Sequence, residues 1–266
     1  MSRPKLSASG ISTFLSSPKA YYFRYVLNIE PISPHESSSP DSLAGSLFAE
    51  FTDAFYKGVP EKDNTQKLMN NWQEQTTGWV SKRTQESLGG ALSAWAGMYH
   101  TLFSPDDGVR NGSEKLVENE RFIGYVDGLS HDLILHELKT TSRAKSISEQ
   151  LWKVQRSLQV RLYCVLTGAI GIRIEFCYKD APYAIFRSEP LPVAPEQRAV
   201  WETELNMLAD TIVGLGDNPN NYPCNTNGCN IFAKNYTSAC AYQALCEYGY
   251  NETTKIAYQP RSRGRA

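Results

Sequence analysis

The chain of 266 residues is long enough for one or two domains with their own apolar cores. Hydrophobic residues make up 41% of it, charged residues 21% and aromatic residues 11%, which excludes disordered, collagen-like and coiled-coil classes. Lys and Arg number 27 against 28 for Asp and Glu, giving a net charge of −1. This balance argues against a uniformly basic nucleic-acid packing protein, so any polyanion site must be a local patch.

Helices are predicted throughout the first hundred residues, because apolar side chains recur there at spacings of three and four. A Ser- and Pro-rich loop is expected at Pro31–Ser42. The predicted helices are Leu6–Tyr25, with a break near Pro18, and then Leu43–Tyr56, Thr65–Lys82 and Leu88–Phe103.

Alternating apolar and polar residues then predict strands. In chain order the predicted elements are strands Lys115–Phe122, Ile123–Leu129 and Leu133–Thr140, a helix Ile147–Thr167 that ends at Gly168, strands Ile172–Lys179 and Ala184–Ser188, and a helix Glu196–Val213. This order predicts a mixed α/β (α+β) fold with a mixed central sheet flanked by helices.

The chain divides at the point where this periodicity stops. Residues 1–217 are expected to form the main domain, with a helical N-terminal region (1–105) and a sheet (109–190). Residues 218–266 are rich in Asn, Gly and Cys and end in the basic tail Arg261-Ser-Arg263-Gly-Arg265. They carry almost no periodicity, and we expect a small Cys-bearing appendage there.

The best chemical candidate is a pair of carboxylates on neighbouring strands. Asp127 ends one predicted strand, and the period of two places Glu137 and Lys139 on one face of the next. A turn centred near Asp132 would set Asp127 opposite Glu137, about 5 Å away. Two carboxylates at that distance repel each other unless a cation lies between them, and a divalent metal is the natural counterion.

Oxygen ligands of this kind favour Mg²⁺ or Mn²⁺ over Zn²⁺. The Lys139 ammonium could then orient or help deprotonate an attacking water and offset phosphate charge. The alternative is a surface ion pair between Glu137 and Lys139, because Asp followed by Glu-x-Lys is common by chance.

The segment after Lys139 is strongly basic. From Lys139 to Arg173 basic residues outnumber acidic residues seven to one, and such a field suits a phosphate backbone. The alternative is a solvated helix face. The residues predicted to contact DNA are Arg143, Lys145, Lys153, Arg156 and Arg161.

Five weak motifs occur in order, the first in two parts: Leu6-Ser-Ala-Ser9 with Ser17-Pro-Lys-Ala-Tyr21-Tyr-Phe-Arg-Tyr25, Gly45-Ser-Leu-Phe-Ala-Glu50, Gly124-Tyr-Val-Asp127, Glu137-Leu-Lys139-Thr-Thr141, and Gln159-Val-Arg-Leu-Tyr163. Together they resemble the RecB-type branch of the PD-(D/E)XK nuclease superfamily, to which phage and Cas4-like exonucleases belong. The resemblance extends from about Leu6 to Cys246. It implies a restriction-endonuclease-like core.

The resemblance also implies roles for individual residues. Asp127, Glu137 and the Leu138 carbonyl would be metal ligands, and Lys139 the catalytic lysine. By the same resemblance, Gln159 and Tyr163 would contact the DNA end or support the site.

One position departs from the family pattern. Where relatives usually carry a histidine ligand before a glutamate, this chain has Ala49 followed by Glu50. By this resemblance, Glu50 would approach the metal directly or through water. The absence of the histidine bears on both metal affinity and activity.

The six cysteines fall into two groups. Cys164 and Cys177 lie among apolar residues and are predicted to be buried thiols. The late group could hold a [4Fe-4S] cluster, as some RecB-type nucleases do, a Zn²⁺ ion, or nothing. An early cysteine of the cluster-binding relatives is replaced here by Ser17. The late group consists of Cys224, Cys229, Cys240 and Cys246.

These observations predict a divalent-metal-dependent DNA exonuclease or end-processing nuclease. One alternative is a catalytically weak or silent DNA-binding relative, and another is a subunit active only within a recombination or spacer-acquisition complex. The expected partners are DNA, bound through its backbone, and recombination or repair proteins. No apolar run approaches the ~20 residues of a membrane span, so a cytoplasmic location, in a bacterial or phage-infected host cell, is expected.

Overall fold

A computed structural model describes residues 5–31, 39–105, 115–142, 146–223, 242–249 and 251–261. Its contacts divide the chain into two compact units. The larger unit comprises Ser38–Val117 and Tyr125–Trp201, and the smaller comprises Met1–Ser37, Glu118–Gly124 and Glu202–Ala266. The predicted catalytic and metal-binding residues, from Glu50 to Tyr163, belong to the larger unit.

The α-helices are, in chain order, α1 (Ala8–Ser16), α2 (Pro18–Tyr21), α3 (Pro40–Tyr56), α4 (Glu61–Thr76), α5 (Lys82–Leu102), α6 (Ile147–Gln155), α7 (Leu158–Thr167), α8 (Pro195–Gly214), α9 (Gln243–Tyr248) and α10 (Glu252–Lys255). A π-helical turn covers Tyr22–Val26 and a 3₁₀ turn covers Pro219–Asn221. None of the helices in the described ranges combines the length and apolar character needed to cross a membrane.

The strands are β1 (Ile29–Pro31), β2 (Lys115–Glu118), β3 (Ile123–Val126), β4 (Gly128–Leu129), β5 (Ile134–Thr141), β6 (Gly171–Tyr178), β7 (Ala184–Arg187), β8 (Leu191–Pro192) and β9 (Tyr258–Pro260). A separate two-stranded sheet pairs β2 with β3.

The central sheet of the larger unit is mixed, as predicted. Its order is β4-β5-β6-β7, and β8 pairs with the other end of β6. β5 runs parallel to β6, with Glu137 beside Ile174, whereas the other pairings are antiparallel. Successive side chains of β5 point to opposite faces, and helices cover both of them. Leu138 joins the apolar cluster of α3–α5, while Lys139 contacts α7.

Aromatic side chains form the core between α3, α4 and α5. Phe48, Trp95 and Tyr99 are fully buried, and the rings of Phe48 and Trp95 meet edge to face with centroids 5.2 Å apart. The Trp95 indole N–H donates to the carbonyl of Tyr178 at 3.0 Å. This bond fixes α5 to the end of β6, because a buried indole N–H needs an acceptor.

The smaller unit contains a cluster of stacked aromatic rings. Tyr21 and Tyr25 stack with centroids 5.0 Å apart, and Tyr222 lies 5.0 Å from Tyr22. β1 and β9 pair antiparallel, with Ile29 opposite Pro260. The sequence after Asn218 has almost no periodicity, but it contains α9, α10 and β9, because elements of three to six residues are too short to show periodicity.

The predicted helix Ile147–Thr167 is in fact two helices. Ser157 has an extended backbone, with φ −63° and ψ 146°, and its hydroxyl accepts from the Val160 N–H at 3.3 Å. A serine that caps a new helix in this way interrupts the preceding one. The second helix ends as predicted, at Gly168 in the left-handed conformation (φ 70°).

Two predicted strands are shorter than expected. The first stops at Glu118 because the Asn119 side chain accepts from the backbone N–H groups of Arg121 and Phe122, which turns the chain. The second is interrupted at Asp127, between β3 and β4. That interruption falls on the residue predicted to bind metal.

The boundaries between α4 and α5 also differ from the prediction. α4 ends at Thr76 instead of Lys82, and α5 begins at Lys82 instead of Leu88. The Ser81 hydroxyl accepts from the Thr84 N–H and caps α5. The first turns of α5 are polar, so the apolar pattern alone placed its start too late.

Candidate active site

The hairpin of β4 and β5 has the register predicted from the sequence. Gly128 lies opposite His136 and Leu129 opposite Leu135. Extending this register by one residue places Asp127 opposite Glu137, in line with the sequence prediction. The two candidate carboxylates therefore come from adjacent chain segments at one end of the hairpin.

Asp127 is fixed to the neighbouring strand by a backbone hydrogen bond. Its Oδ2 accepts from the Leu138 N–H at 2.8 Å, and the residue is half-buried. A carboxylate that accepts a backbone N–H loses rotamer freedom, so its position beside β5 is set by the fold.

Glu137 and Lys139 form an ion pair that is not a surface pair. Glu137 is completely buried, and the Lys139 side chain is 34% exposed, with its Nζ on Glu137 Oε1. The desolvation of a buried carboxylate costs roughly several kcal/mol unless a neighbouring cation offsets that cost. The alternative of a solvated surface pair is therefore wrong.

Lys139 also contacts α7. Its Nζ donates to Gln159 Oε1 at 3.1 Å, so the ammonium bridges the strand and the helix. Burial alone would lower the pKa of Lys139, but the nearby charges of Glu137 and Asp127 outweigh burial and raise the pKa. The ammonium therefore stays charged at neutral pH in this ion pair.

Tyr163 completes this group from the next turn of α7. The side chain is buried, with 8% exposure. Burial raises the pKa of Tyr163 to about 12, and the charges of Glu137 and Asp127 add to the increase, while hydrogen bonds with Gln159 and the Tyr125 backbone oppose it. The phenol is thus a neutral hydrogen-bonding group at any physiological pH.

Tyr163 should make the fold sensitive to alkali. Its pKa is about 12 in the fold and about 10 in the unfolded chain. The contribution of neutral Tyr163 to the free energy of unfolding is therefore complete below pH 10 and is lost as the pH rises toward 12. Over this window the unfolded chain releases a proton that the fold retains, which costs about 2–3 kcal/mol of stability. In urea unfolding between pH 9 and 12, Tyr163→Phe should lose less stability than the wild type. Equal losses would contradict the assignment.

Glu50 does not join these residues. It is exposed on α3, and the preceding Ala49 packs against the apolar helix cluster. Within the described ranges no three His, Cys, Asp or Glu side chains gather into a metal-binding group. The donor set that the structure does bring together, two carboxylates beside the Leu138 backbone, has the hard oxygen chemistry that suits Mg²⁺ or Mn²⁺.

The predicted DNA-contacting residues differ in exposure. Lys153 and Arg156 are exposed, and Arg161 is half-buried with its guanidinium carbon 5.8 Å from the centroid of the Trp201 ring. Arg143 and Lys145 lie outside the described residues, so their role stays a prediction.

The two early cysteines are buried, as predicted. Cys164 and Cys177 have no solvent exposure, and burial raises the pKa of Cys164 to about 12. Of the late group, Cys246 is partly buried on α9. The other three members of this group, Cys224, Cys229 and Cys240, lie outside the described residues. The [4Fe-4S] or Zn²⁺ site therefore stays a prediction.

Sequence reasoning missed a second buried ion pair. Glu175 is fully buried and contacts Arg187 Nη2 at 3.0 Å, and the two residues face each other across β6 and β7. A charged residue inside the apolar run Gly171–Tyr178 was a signal for it. Glu175 pairs with Leu138 in the sheet, so it lies on the face opposite Glu137.

The fold and the site together define a class of protein. A mixed sheet that carries an aspartate, and then a glutamate and a lysine two residues apart on the next strand, is the arrangement of a PD-(D/E)XK nuclease. The model of the PD-(D/E)XK nuclease superfamily matches residues 5–247. The chain belongs to this superfamily, whose members hydrolyse phosphodiester bonds and typically use divalent metals.

Solved structures resemble the chain only distantly. A "Putative exonuclease" from Eubacterium rectale is 12% identical with a TM-score of 0.49, and the match covers 79% of this chain and 82% of that one. The protein SSO0001 is 13% identical with a TM-score of 0.32, over 70% and 97% of the two chains. None of the curated proteins compared with the chain is similar enough to count as a match.

Proposed function

We propose that the protein is a divalent-metal-dependent DNA exonuclease or end-processing nuclease of the RecB type. The observation that supports it most is the register that sets Asp127 opposite Glu137, with Lys139 held between Glu137 and Gln159. Membership of the nuclease superfamily supports phosphodiester hydrolysis.

Each residue would contribute a distinct part of the chemistry. Asp127, Glu137 and the Leu138 carbonyl would hold Mg²⁺ or Mn²⁺, which supplies Lewis acidity and lowers the pKa of water when bound. Lys139 would place a permanent positive charge beside the scissile phosphate and orient the attacking water. Gln159 would hold that ammonium in place.

Tyr163 would act as a neutral donor near the DNA end. Lys153, Arg156 and Arg161 would hold the flanking phosphates without reading sequence, in keeping with a substrate bound through its backbone.

The test is a cleavage assay on DNA labelled at the 5′ or 3′ end, with a covalently closed circle as a control. With Mg²⁺ or Mn²⁺ we expect stepwise shortening of linear DNA, none in EDTA, and an intact circle. Cutting of the circle would mean an endonuclease. No cleavage of any substrate would contradict the proposal.

A specific observation favours the second candidate, a catalytically weak or silent DNA-binding relative. Ala49 occupies the usual histidine position and packs on the helix cluster, and Glu50 is exposed, so α3 supplies no ligand in this geometry. DNA binding without cleavage at saturating Mn²⁺ would support this candidate. Cleavage that appears only with a co-purified recombination or repair protein would indicate a subunit of a complex.

A further inference from the structure

Trp152 is unusual among the five tryptophans of the chain. It is 60% exposed on α6, whereas Trp72, Trp95 and Trp201 are at most 5% exposed and Trp79 is half-buried. A single exposed apolar residue needs no explanation by itself. Three further observations concern what surrounds this one.

The first is that Arg156 covers one face of the indole. Its guanidinium carbon lies 4.6 Å from the centroid of the Trp152 ring, a cation–π contact that fixes the ring plane. Because the residue remains 60% exposed, much of the indole is still open to solvent beside this contact. The pair therefore presents a flat, positively charged aromatic surface.

The second observation is the position of this pair beside the candidate active site. Arg156 precedes Ser157, which caps α7, and Gln159 in the first turn of α7 accepts from Lys139. Consecutive Cα atoms are about 3.8 Å apart, so the Cα atoms of Arg156 and Gln159 are within about 11 Å of each other. The surface is therefore within reach of the first few nucleotides of a DNA strand whose end lies at Lys139.

The third observation is charge. Lys153, next to Trp152 in the chain, and Arg156, four residues after Trp152, are both exposed, in the segment where basic residues outnumber acidic ones seven to one. Proteins bind single-stranded nucleic acid by combining an aromatic stacking surface with cations that follow the phosphates. Both elements are present here.

We propose that Trp152, held by Arg156, is a stacking platform for an unpaired base of a single-stranded DNA end. The inference rests on the proposed nuclease function and adds the substrate class to it. In a duplex each interior base is stacked on both faces, and the bases of a blunt end stay paired, so a blunt duplex has no base that can turn out onto the indole. Every base has a π-face, so the platform selects for an unpaired strand and not for sequence.

The test measures binding in EDTA, where the DNA stays intact, by fluorescence anisotropy of labelled oligonucleotides. Trp152→Leu should bind a single strand or a 3′ or 5′ overhang about 5-fold to 100-fold more weakly than the wild type. Trp152→Phe, which keeps a ring, should retain most of the affinity. Binding to a blunt duplex should be unchanged in both variants.

An abasic scan locates the stacked base. Oligonucleotides with one abasic nucleotide at successive positions should show one position at which wild-type affinity falls, and Trp152→Leu should be insensitive there. The matched control is Ile147→Ala, at a 42% exposed apolar residue of the same helix, which should bind like the wild type.

The possible failures are distinguishable. If Trp152→Leu binds single strands as tightly as the wild type, the platform is refuted; this result is expected if the surface docks a protein instead. If Trp152→Leu loses as much affinity for a blunt duplex as for a single strand, the selection of an unpaired base is refuted. Cleavage of DNA with no effect of Trp152→Leu on binding would refute the platform alone. Trp152-dependent binding without cleavage in Mg²⁺ or Mn²⁺ would refute the nuclease function alone.

Discussion

Asp127→Asn should reduce metal-dependent DNA cleavage by at least about 100-fold while the protein stays folded. The asparagine oxygen can still accept from the Leu138 N–H, which Asp127 Oδ2 accepts at 2.8 Å in the structure. The substitution therefore keeps the local structure and removes only the negative charge. The measurement is the initial cleavage rate with Mg²⁺ and with Mn²⁺, alongside circular dichroism.

The matched control for this variant is Asp132→Asn. Asp132 lies in the turn of the same hairpin, is exposed, and accepts from the Ser130 hydroxyl, as an asparagine oxygen also can. Its cleavage rate should equal that of the wild type. Full activity of Asp127→Asn would exclude Asp127 as a ligand.

Lys139→Met should abolish cleavage to a similar extent, but the structure adds a cost to folding. Glu137 has no solvent exposure, and removal of Lys139 leaves its charge buried without its partner, which destabilises a fold. Combining Lys139→Met with Glu137→Gln should recover stability but not activity. If the double variant were as unstable as Lys139→Met, the ion pair would not be the cause.

The sequence was sufficient to predict the hairpin that carries the candidate site. The period of two placed Glu137 and Lys139 on one face, and the turn near Asp132 set the register, because both signals are local. What the pattern missed was the helix break at Ser157, since apolar spacing continues across it. A side chain that caps a helix competes with the helical backbone in a way that periodicity does not reveal.

Contacts between segments far apart in the chain were harder to predict from the sequence. β1 and β9 pair across more than two hundred residues, and three-residue strands carry no periodic signal. The exposure of Trp152 was also hidden, because an indole in a helical pattern usually faces the core.

The buried pair of Glu175 and Arg187 should be a major determinant of stability. Glu175 also accepts from the Tyr99 hydroxyl at 2.9 Å, and Arg187 donates to the Tyr56 hydroxyl at 2.9 Å. Its guanidinium carbon lies 3.4 Å from the centroid of the Phe103 ring. The Arg187 side chain is only 15% exposed, so loss of either partner leaves a buried charge that little water can reach.

Arg187→Met and Glu175→Gln should therefore each lower the free energy of unfolding by about 3–5 kcal/mol, measured by urea denaturation. The double variant Glu175→Leu with Arg187→Met should recover part of the loss, because no charge is left unpaired, though the two tyrosine hydroxyls lose partners. The matched control is Lys179→Met, which breaks the more exposed pair of Lys179 and Asp41 and should cost less than about 1 kcal/mol. An Arg187→Met variant no less stable than this control would show that the buried pair contributes no more than a surface one.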